Sequence, residues 1–333
     1  MRWFAALLTL AMLQAPVERR APAVSGAQAP AGLGEAAGAP APKSAQNGDE
    51  IQTIKVRSRL VNIAVNAVDS RGAPVAGLGR DDFAILEDGK PQKIAVFERE
   101  SSTPLSIVLA VDTSETVLTN ERLERDAAKR FVRALLRDQD ELDLMDFSDT
   151  VREIVPFTNQ KKRIEAGLGQ LQRGAETSLF DAIYLGSDRL GQTSSAAGRR
   201  RVMVLITDGG DTKKRTQYPQ AVEAAQRAGA MIFSVIIVPI AADAGRNTGG
   251  EHALIQMSED TGGRYYYVAD PRDLEAAFAH VSDDLRTQYV LGYYAPDTTS
   301  EGAFRRIQVR LKGPAMRDGV QLRYRSGYYA DGR

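Results

Sequence analysis

The stretch VLAVDTSETV, residues 108–117, decides the fold of this chain. An almost wholly apolar run ends at Asp112, and the hydroxyl side chains of Thr113, Ser114 and Thr116 follow it closely. A continuous apolar run of this kind is typical of a strand that is buried on both faces, as in a parallel sheet. The polar groups at its end must then be satisfied by a cation, by water or by backbone amides.

Apolar runs of the same kind recur through residues 104–287. They are SIVLAV (106–111), LDLMDF (142–147), VMVLIT (202–207), MIFSVIIV (231–238) and RYYYV (264–268). Helical patterns separate them, for example Ala128, Phe131, Val132 and Leu135, which recur at the spacing of one helix face. Alternating strands and helices predict an α/β fold, a doubly wound, Rossmann-like parallel sheet with helices on both faces.

The segments on either side of this region alternate between apolar and polar residues, which is typical of half-buried strands. Val61, Ile63 and Val65 show this pattern near the N-terminal end, and Ile307 and Val309 show it near the C-terminal end. Each end offers only about three strands, which is marginal for an independent sheet. We therefore predict that residues 51–103 and 288–330 pair into one β-sandwich domain, into which residues 104–287 are inserted.

The first 50 residues predict export. Residues 1–23 resemble a signal peptide, because a short basic start precedes the apolar run 3–13, which is too short to span a membrane. Residues 24–50 are rich in Ala, Pro and Gly and predict a disordered linker. A secreted or periplasmic location follows, and an uncleaved signal segment is the only membrane contact that we expect.

Composition excludes several kinds of chemistry. Lys plus Arg and Asp plus Glu balance at 43 each, so no charge bias toward nucleic acid exists. The chain has no cysteine, which excludes disulfides and thiolate sites, and its two histidines leave little for histidine-dependent catalysis. No glycine-rich phosphate loop follows the first apolar run, which argues against nucleotide binding.

Polar side chains gather at the predicted strand ends. Asp112, Ser114 and Thr116 follow one strand, Asp208 follows VMVLIT, and Thr177 lies in a third polar loop. Ligands of doubly wound sheets bind beyond the carboxyl ends of the strands, near the point where the strand order reverses. Oxygen ligands without His or Cys favour Mg²⁺, Mn²⁺ or Ca²⁺. We expect Asp112 to lie at the exposed rim of the sheet.

At these residues the chain resembles the von Willebrand factor A domain with its metal-ion-dependent adhesion site. The resemblance is closer still to the VWFA-related, acidobacterial-type family of exported bacterial proteins. It rests on DDFAILEDGKPQKI (81–94), TSLFDAIY (177–184), YVLGYY (289–294) and SGYY (326–329). The family pattern has serine where this chain has Thr116, so the hydroxyl is kept with an added methyl group.

The resemblance implies a function. It implies that the divalent cation, Mg²⁺ or else Mn²⁺ or Ca²⁺, is held by Asp112, Ser114, Thr116, Thr177 and Asp208. The same cation would accept an Asp or Glu side chain from a partner protein, so that the chain is a binding module and not an enzyme.

Other interpretations stay open at this point. The runner-up is a metal-dependent phosphatase or hydrolase, although Ser114 stands where haloacid-dehalogenase phosphatases carry a second acid. Asp112 and Ser114 could also simply cap the following helix. Asp143 and Asp146 are interpreted as structural, Asp211 as either an indirect metal partner or a turn residue, and the tyrosine clusters as sheet packing.

Overall fold

The computed structural model describes residues 58–99, 102–115, 121–193, 199–238, 247–296, 302–313, 316 and 319–330. All of them belong to one unit of the chain, Ile54–Arg333. The predicted signal peptide (1–23), the predicted linker (24–50) and Thr116 lie outside the described residues. Within the described residues, no helix is both long and apolar enough to cross a membrane.

Strands and helices alternate through the middle of the chain, with strands alone at both ends. The strands are β1 (Ser58–Val68), β2 (Phe83–Glu87), β3 (Lys90–Gln92), β4 (Val96–Glu98), β5 (Leu105–Asp112), β6 (Glu141–Phe147), β7 (Val151–Thr158), β8 (Arg200–Thr207), β9 (Ala230–Ile237), β10 (Arg264–Val268), β11 (Tyr289–Pro296), β12 (Phe304–Leu311), β13 (Gln321–Arg323) and β14 (Gly327–Tyr329). The helices are α1 (Glu121–Leu135), α2 (Lys161–Gly167), α3 (Leu179–Gln192), α4 (Tyr218–Ala228), α5 (Thr248–Thr261) and α6 (Leu274–Arg286).

The central sheet has six strands in the order β10-β9-β8-β5-β6-β7. Neighbours from β10 to β6 are parallel, so the doubly wound sheet predicted from the apolar runs is confirmed. The edge strand β7 is antiparallel to β6 and was not predicted. Its sequence VREIVPFT mixes polar and apolar residues, and most of its positions are half-buried or exposed, since an edge strand needs no continuous apolar run.

Helices cover both faces of this sheet. All eight residues of β5 are buried, and successive side chains point to opposite faces of the sheet. Ile107 and Leu109 pack with α1 and α6, whose Phe131 and Phe278 rings stack with centroids 4.6 Å apart. Val108 packs on the other face, where α3, α4 and α5 supply the apolar side chains.

The two ends of the chain build a β-sandwich, as predicted. One sheet has the order β13-β1-β11-β4 and the other β14-β12-β2-β3, so each combines strands from both ends. Val61 on β1 pairs with Tyr293 on β11, and Ile85 on β2 pairs with Val309 on β12. These side chains share one hydrophobic core. The α/β sheet is therefore an insertion into a sandwich whose halves are distant in sequence.

A buried carboxylate links the two sheets of the sandwich. Glu87 at the end of β2 accepts hydrogen bonds from the hydroxyls of Tyr293 (2.5 Å) and Tyr328 (2.9 Å). The Nη1 atom of Arg305 lies 3.8 Å from the other carboxylate oxygen. Burial raises the pKa of Tyr328 to about 12, so this hydroxyl stays protonated and able to donate. The tyrosines predicted to pack the sheet thus also satisfy a buried charge.

Replacing Tyr293 with phenylalanine should destabilise the sandwich. Tyr293 is completely buried, and Tyr293→Phe removes a donor to the Glu87 carboxylate, at a cost of about 1–3 kcal/mol in the free energy of unfolding. The adjacent Tyr294 is 57% exposed, so Tyr294→Phe should change it by less than about 0.5 kcal/mol. Urea denaturation of both variants checks this, and equal effects would contradict the role given to Glu87.

Candidate metal site

The predicted site lies where the strand order of the central sheet reverses. The strand β5 has β6 on one side and β8 on the other, and both pairings are parallel. Asp112 is the last residue of β5, and Asp208 directly follows β8. Adjacent strands lie about 4.8 Å apart, so the side chains of Asp112 and Asp208 begin at neighbouring points of one sheet edge.

Asp112 is completely buried, which corrects the expectation of an exposed rim position. Its Oδ1 atom accepts a hydrogen bond from the backbone N–H of Ser114 (2.9 Å), and its Oδ2 atom accepts one from the hydroxyl of Thr207 (2.7 Å). The loop that carries Gly174 crosses the end of β5, where Gly174 forms a parallel bridge with Ser114. The Gly174 loop therefore covers the strand end that the sequence alone placed at the surface.

Burial has an electrostatic consequence for Asp112. It raises the pKa of this carboxyl to about 7, against the hydrogen bonds from Thr207 and Ser114, which favour the ionised form. The negative charge of Asp208 raises the pKa further. The two carboxylates are thus close enough to repel each other, and a cation beside them would offset that repulsion.

Ser114 is also buried, in contact with the third loop. The backbone N–H of Gly174 donates to the carbonyl of Thr113 (3.3 Å), next to the bridge at Ser114. A Cβ atom on Gly174 would lie 2.5 Å from the Oγ atom of Ser148, so only glycine fits this approach. The sequence placed the third polar loop over the same sheet edge, and the structure brings it there.

Thr177 is buried and is held by the loop that follows Asp208. Its backbone N–H donates to the Oγ1 atom of Thr212 (2.8 Å), and its carbonyl accepts from the N–H groups of Thr212 (2.9 Å) and Lys213 (3.1 Å). A Cβ atom built on Gly210 would lie 3.1 Å from Asp208 Oδ1 and 3.7 Å from Thr177 Oγ1. Oxygen atoms from two separate loops therefore face the same small space.

Nearby acids have structural roles. Asp211 accepts a hydrogen bond from the N–H of Phe180 (3.3 Å) in the first turn of α3. Asp149 accepts from the N–H of Glu176 (2.9 Å) and so fixes the loop before Thr177. Asp143 and Asp146 are buried on β6, where each forms an ion pair with an arginine.

Of the five predicted ligands, Asp112 and Ser114 are joined by a hydrogen bond, and Asp208 and Thr177 both lie next to Gly210. Thr116 lies outside the described residues. Sequence reasoning missed Thr207 and Thr212, which hold Asp112 and Thr177 in place. A hydroxyl at the end of a fully buried strand must find a partner, and this signal could have identified Thr207. No group of three or more His, Cys, Asp or Glu side chains positioned to hold a metal occurs among the described residues. The predicted set contains only two carboxylates and otherwise hydroxyls.

Comparison with known proteins identifies the family to which the central region belongs. A sequence model of the von Willebrand factor type A domain family matches residues 106–280, more than half of the chain. The chain belongs to this family. VWA domains are modules that commonly mediate protein–protein interactions and are generally not enzymes. The search of curated proteins found no match.

Solved structures of VWA-type proteins resemble the chain at low identity. BatB from Bacteroides thetaiotaomicron, described as a conserved hypothetical protein, is 18% identical, with a TM-score of 0.44, over 54% of this chain and 97% of that one. A von Willebrand factor type A protein from Catenulispora acidiphila is 13% identical, with a TM-score of 0.47, over 80% of this chain and 72% of that one. These likenesses concern the fold alone.

The hydroxyl of Thr207 should stabilise the VWA domain. Thr207→Val keeps the shape of the side chain but removes the donor to Asp112 Oδ2, so the free energy of unfolding should fall by about 1–3 kcal/mol. Thr207→Ser keeps the donor and should lose clearly less. Chemical denaturation at neutral pH measures both variants. A valine variant as stable as the serine variant would contradict the hydrogen bond.

Proposed function

We propose that this chain is an exported binding module that binds a partner protein through a divalent cation at the end of the VWA sheet. The observation that carries the proposal is the convergence of Asp112, Ser114, Thr177 and Asp208 at the reversal of strand order. Thr116 completes the proposed ligand set on the resemblance of its motif alone.

The donor chemistry of this set fits a hard cation. Every candidate donor is an oxygen atom, which Mg²⁺, Mn²⁺ and Ca²⁺ prefer. Two carboxylates balance the charge of one divalent ion. Burial raises the pKa of Asp112, and the charge of Asp208 adds a smaller contribution in the same direction. When bound, such a cation supplies an electrophilic position that a carboxylate from another protein can occupy.

The role of the chain's own residues is to hold the donors in place before any ligand arrives. The N–H of Ser114 and the hydroxyl of Thr207 fix both oxygens of Asp112. The N–H of Gly210 donates to Asp208 Oδ1 (2.9 Å) and fixes the second acid. Since the donors are already ordered, binding a cation costs little conformational entropy. A partner that offers an Asp or Glu side chain is the ligand that this arrangement suits.

The hydrolase alternative is less well supported. A nucleophilic aspartate must be reached by its substrate, but Asp112 is completely buried. Ser114 also stands where haloacid-dehalogenase phosphatases carry a second acid. We therefore propose a binding module without catalytic residues. Turnover of a generic phosphate ester with Mg²⁺, abolished by Asp112→Asn, would overturn this choice.

We also propose that the chain is exported from the cytoplasm. The basic start, the apolar run 3–13 and the linker composition of residues 24–50 support a secreted or periplasmic location. The absence of cysteine means that an exported chain of this sequence depends on its hydrophobic cores and buried polar contacts for stability. Fractionation of cells that express the full chain tests the location.

Removing one acid of the site should weaken cation binding. Asp208→Asn keeps the shape of the side chain but removes its charge, so the affinity for Mn²⁺ should fall at least about tenfold by calorimetry. Asp211→Asn is the matched control, because Asp211 lies in the same loop but contacts the start of α3, and it should bind as the wild type does.

The same Mn²⁺ titration can test a variant that blocks the site sterically. Gly210→Ala places a methyl group 3.1 Å from Asp208 Oδ1 and 3.7 Å from Thr177 Oγ1, so it should also weaken Mn²⁺ binding. Equal affinity of the wild type, Asp208→Asn and Gly210→Ala would contradict the proposed site.

A further inference from the structure

Two buried aspartates on β6, Asp143 and Asp146, differ in how their carboxyl groups are satisfied. Asp146 accepts hydrogen bonds from Nε (2.9 Å) and Nη2 of Arg152 and from the backbone N–H of Gln172 (2.9 Å). Asp143 is completely buried, yet neither of its carboxyl oxygens has a hydrogen-bond partner within the part of the chain that the structure describes. A carboxylate in such a place is costly unless it is paired with a cation or takes up a proton.

Asp143 must share its nearest positive charge with a second acid. Nε of Arg189 on α3 lies 3.4 Å from Oδ2 of Asp143, but Nη2 of the same guanidinium group donates a hydrogen bond to Oε1 of Glu153 on β7. If both acids were ionised, two negative charges would face one positive charge. The side chain of Glu153 is 37% exposed and is solvated by water, whereas Asp143 is out of reach of water. Asp143 is therefore the acid of this pair that is better kept neutral.

The neighbouring strands bring no second positive charge to Asp143 among the described residues. Glu141, two residues earlier on β6, accepts a hydrogen bond from Oγ of Ser106 (2.6 Å), and Nη1 of Arg199 lies 3.8 Å from the same carboxylate. Val108, which pairs with Asp143 from β5, is apolar. The charge balance around Asp143 thus depends on the second acid of β7 and the arginine of α3.

We propose that Asp143 keeps a proton in the folded protein near neutral pH, so that Asp143, Glu153 and Arg189 form a pH-sensitive switch between α3 and the edge strands β6 and β7. With the proton bound, the three groups are neutral overall, because the charge of Glu153 balances that of Arg189. Loss of the proton leaves one uncompensated negative charge in a buried place. The packing of α3 against this edge of the sheet is then weakened.

The direction of the pH effect follows from the burial of Asp143. Burial raises the pKa of Asp143 above its ordinary value of 3.8, and Glu153 raises it further, while the positive charge of Arg189 acts in the opposite direction. Between the ordinary and the raised pKa, the folded protein binds more protons than the unfolded chain does. The free energy of unfolding therefore falls as the pH rises through this range, and it levels off above the raised pKa.

This switch is separate from the proposed metal site and goes beyond the proposed function. Asp143 pairs with Val108, which lies four residues before Asp112 on β5, or roughly 13 Å along an extended strand. The pKa of Asp112 is also raised by burial, so the wild type has a second source of pH dependence. Asp112 is present in every variant used below, and its contribution cancels when a variant is compared with the wild type.

The test is urea denaturation of the full chain, without divalent cations, from about pH 5 to about pH 9. Asp143→Asn keeps the shape of the side chain but cannot ionise. The unfolding equilibrium constant of the wild type, divided by that of Asp143→Asn, should rise at least about tenfold over this range. Asp146→Asn is the matched control, because it weakens the contacts with Arg152 and Gln172 and should destabilise the protein at both ends of the range.

A second variant tests the shared arginine. Glu153→Gln, at an exposed position, removes the competing acid and leaves Arg189 to Asp143 alone, so the fall in stability with rising pH should become smaller. Parallel pH dependence of the wild type, Asp143→Asn and Glu153→Gln would overturn the proposal. So would an Asp143→Asn variant that is less stable than the wild type at about pH 9, because Asp143 would then be an ordinary ion-pair partner of Arg189.

Discussion

The burial of the Asp112 carboxylate at the end of β5 determines which polar groups the neighbouring strand and loops must provide. A charge without water must be met by hydrogen bonds or by an opposite charge. Thr207 on the neighbouring strand and the backbone of Ser114 supply the hydrogen bonds, while Asp208 adds a second negative charge nearby. The loops that close over this edge therefore carry hydroxyls and glycines. In our account a divalent cation compensates the negative charges of Asp112 and Asp208. A carboxylate of the partner protein then completes the coordination of the cation.

The β-sandwich also contains a buried carboxylate, and hydrogen bonds and an arginine satisfy it without a cation. Glu87 is buried between its two sheets, and two tyrosine hydroxyls and Arg305 surround it. These residues come from both ends of the chain, so the contact forms only when the sandwich closes around the VWA domain. The sequence motifs at β2, β11 and β14 that pointed to an exported family thus meet at one place in the core. A buried ionic contact of this kind favours one specific pairing of strands over alternatives.

The sequence predicted most of the fold because buried parallel strands leave continuous apolar runs, as in β5, β8 and β9. It did not predict β7, an edge strand of mixed polarity, or α5, which has two glycines in its first turn (TGGEHALIQMSEDT). The candidate ligands were found because strand ends converge in a doubly wound sheet. The burial of Asp112 was missed, since its cover comes from the Gly174 loop, more than sixty residues later in the sequence. Likewise Thr207 looked like the end of an apolar strand, and its hydrogen bond depends on a neighbour that only the strand order reveals.

A crystal structure of the full chain grown with Mn²⁺ and measured near the manganese absorption edge tests the central claim most directly. Our account predicts an anomalous peak at the β5–β8 edge, at coordination distance (about 2.0–2.6 Å) from the Ser114 hydroxyl and close to Asp112, Thr177 and Asp208. A peak that none of these residues contacts, or no peak at this edge with saturating Mn²⁺, would contradict it.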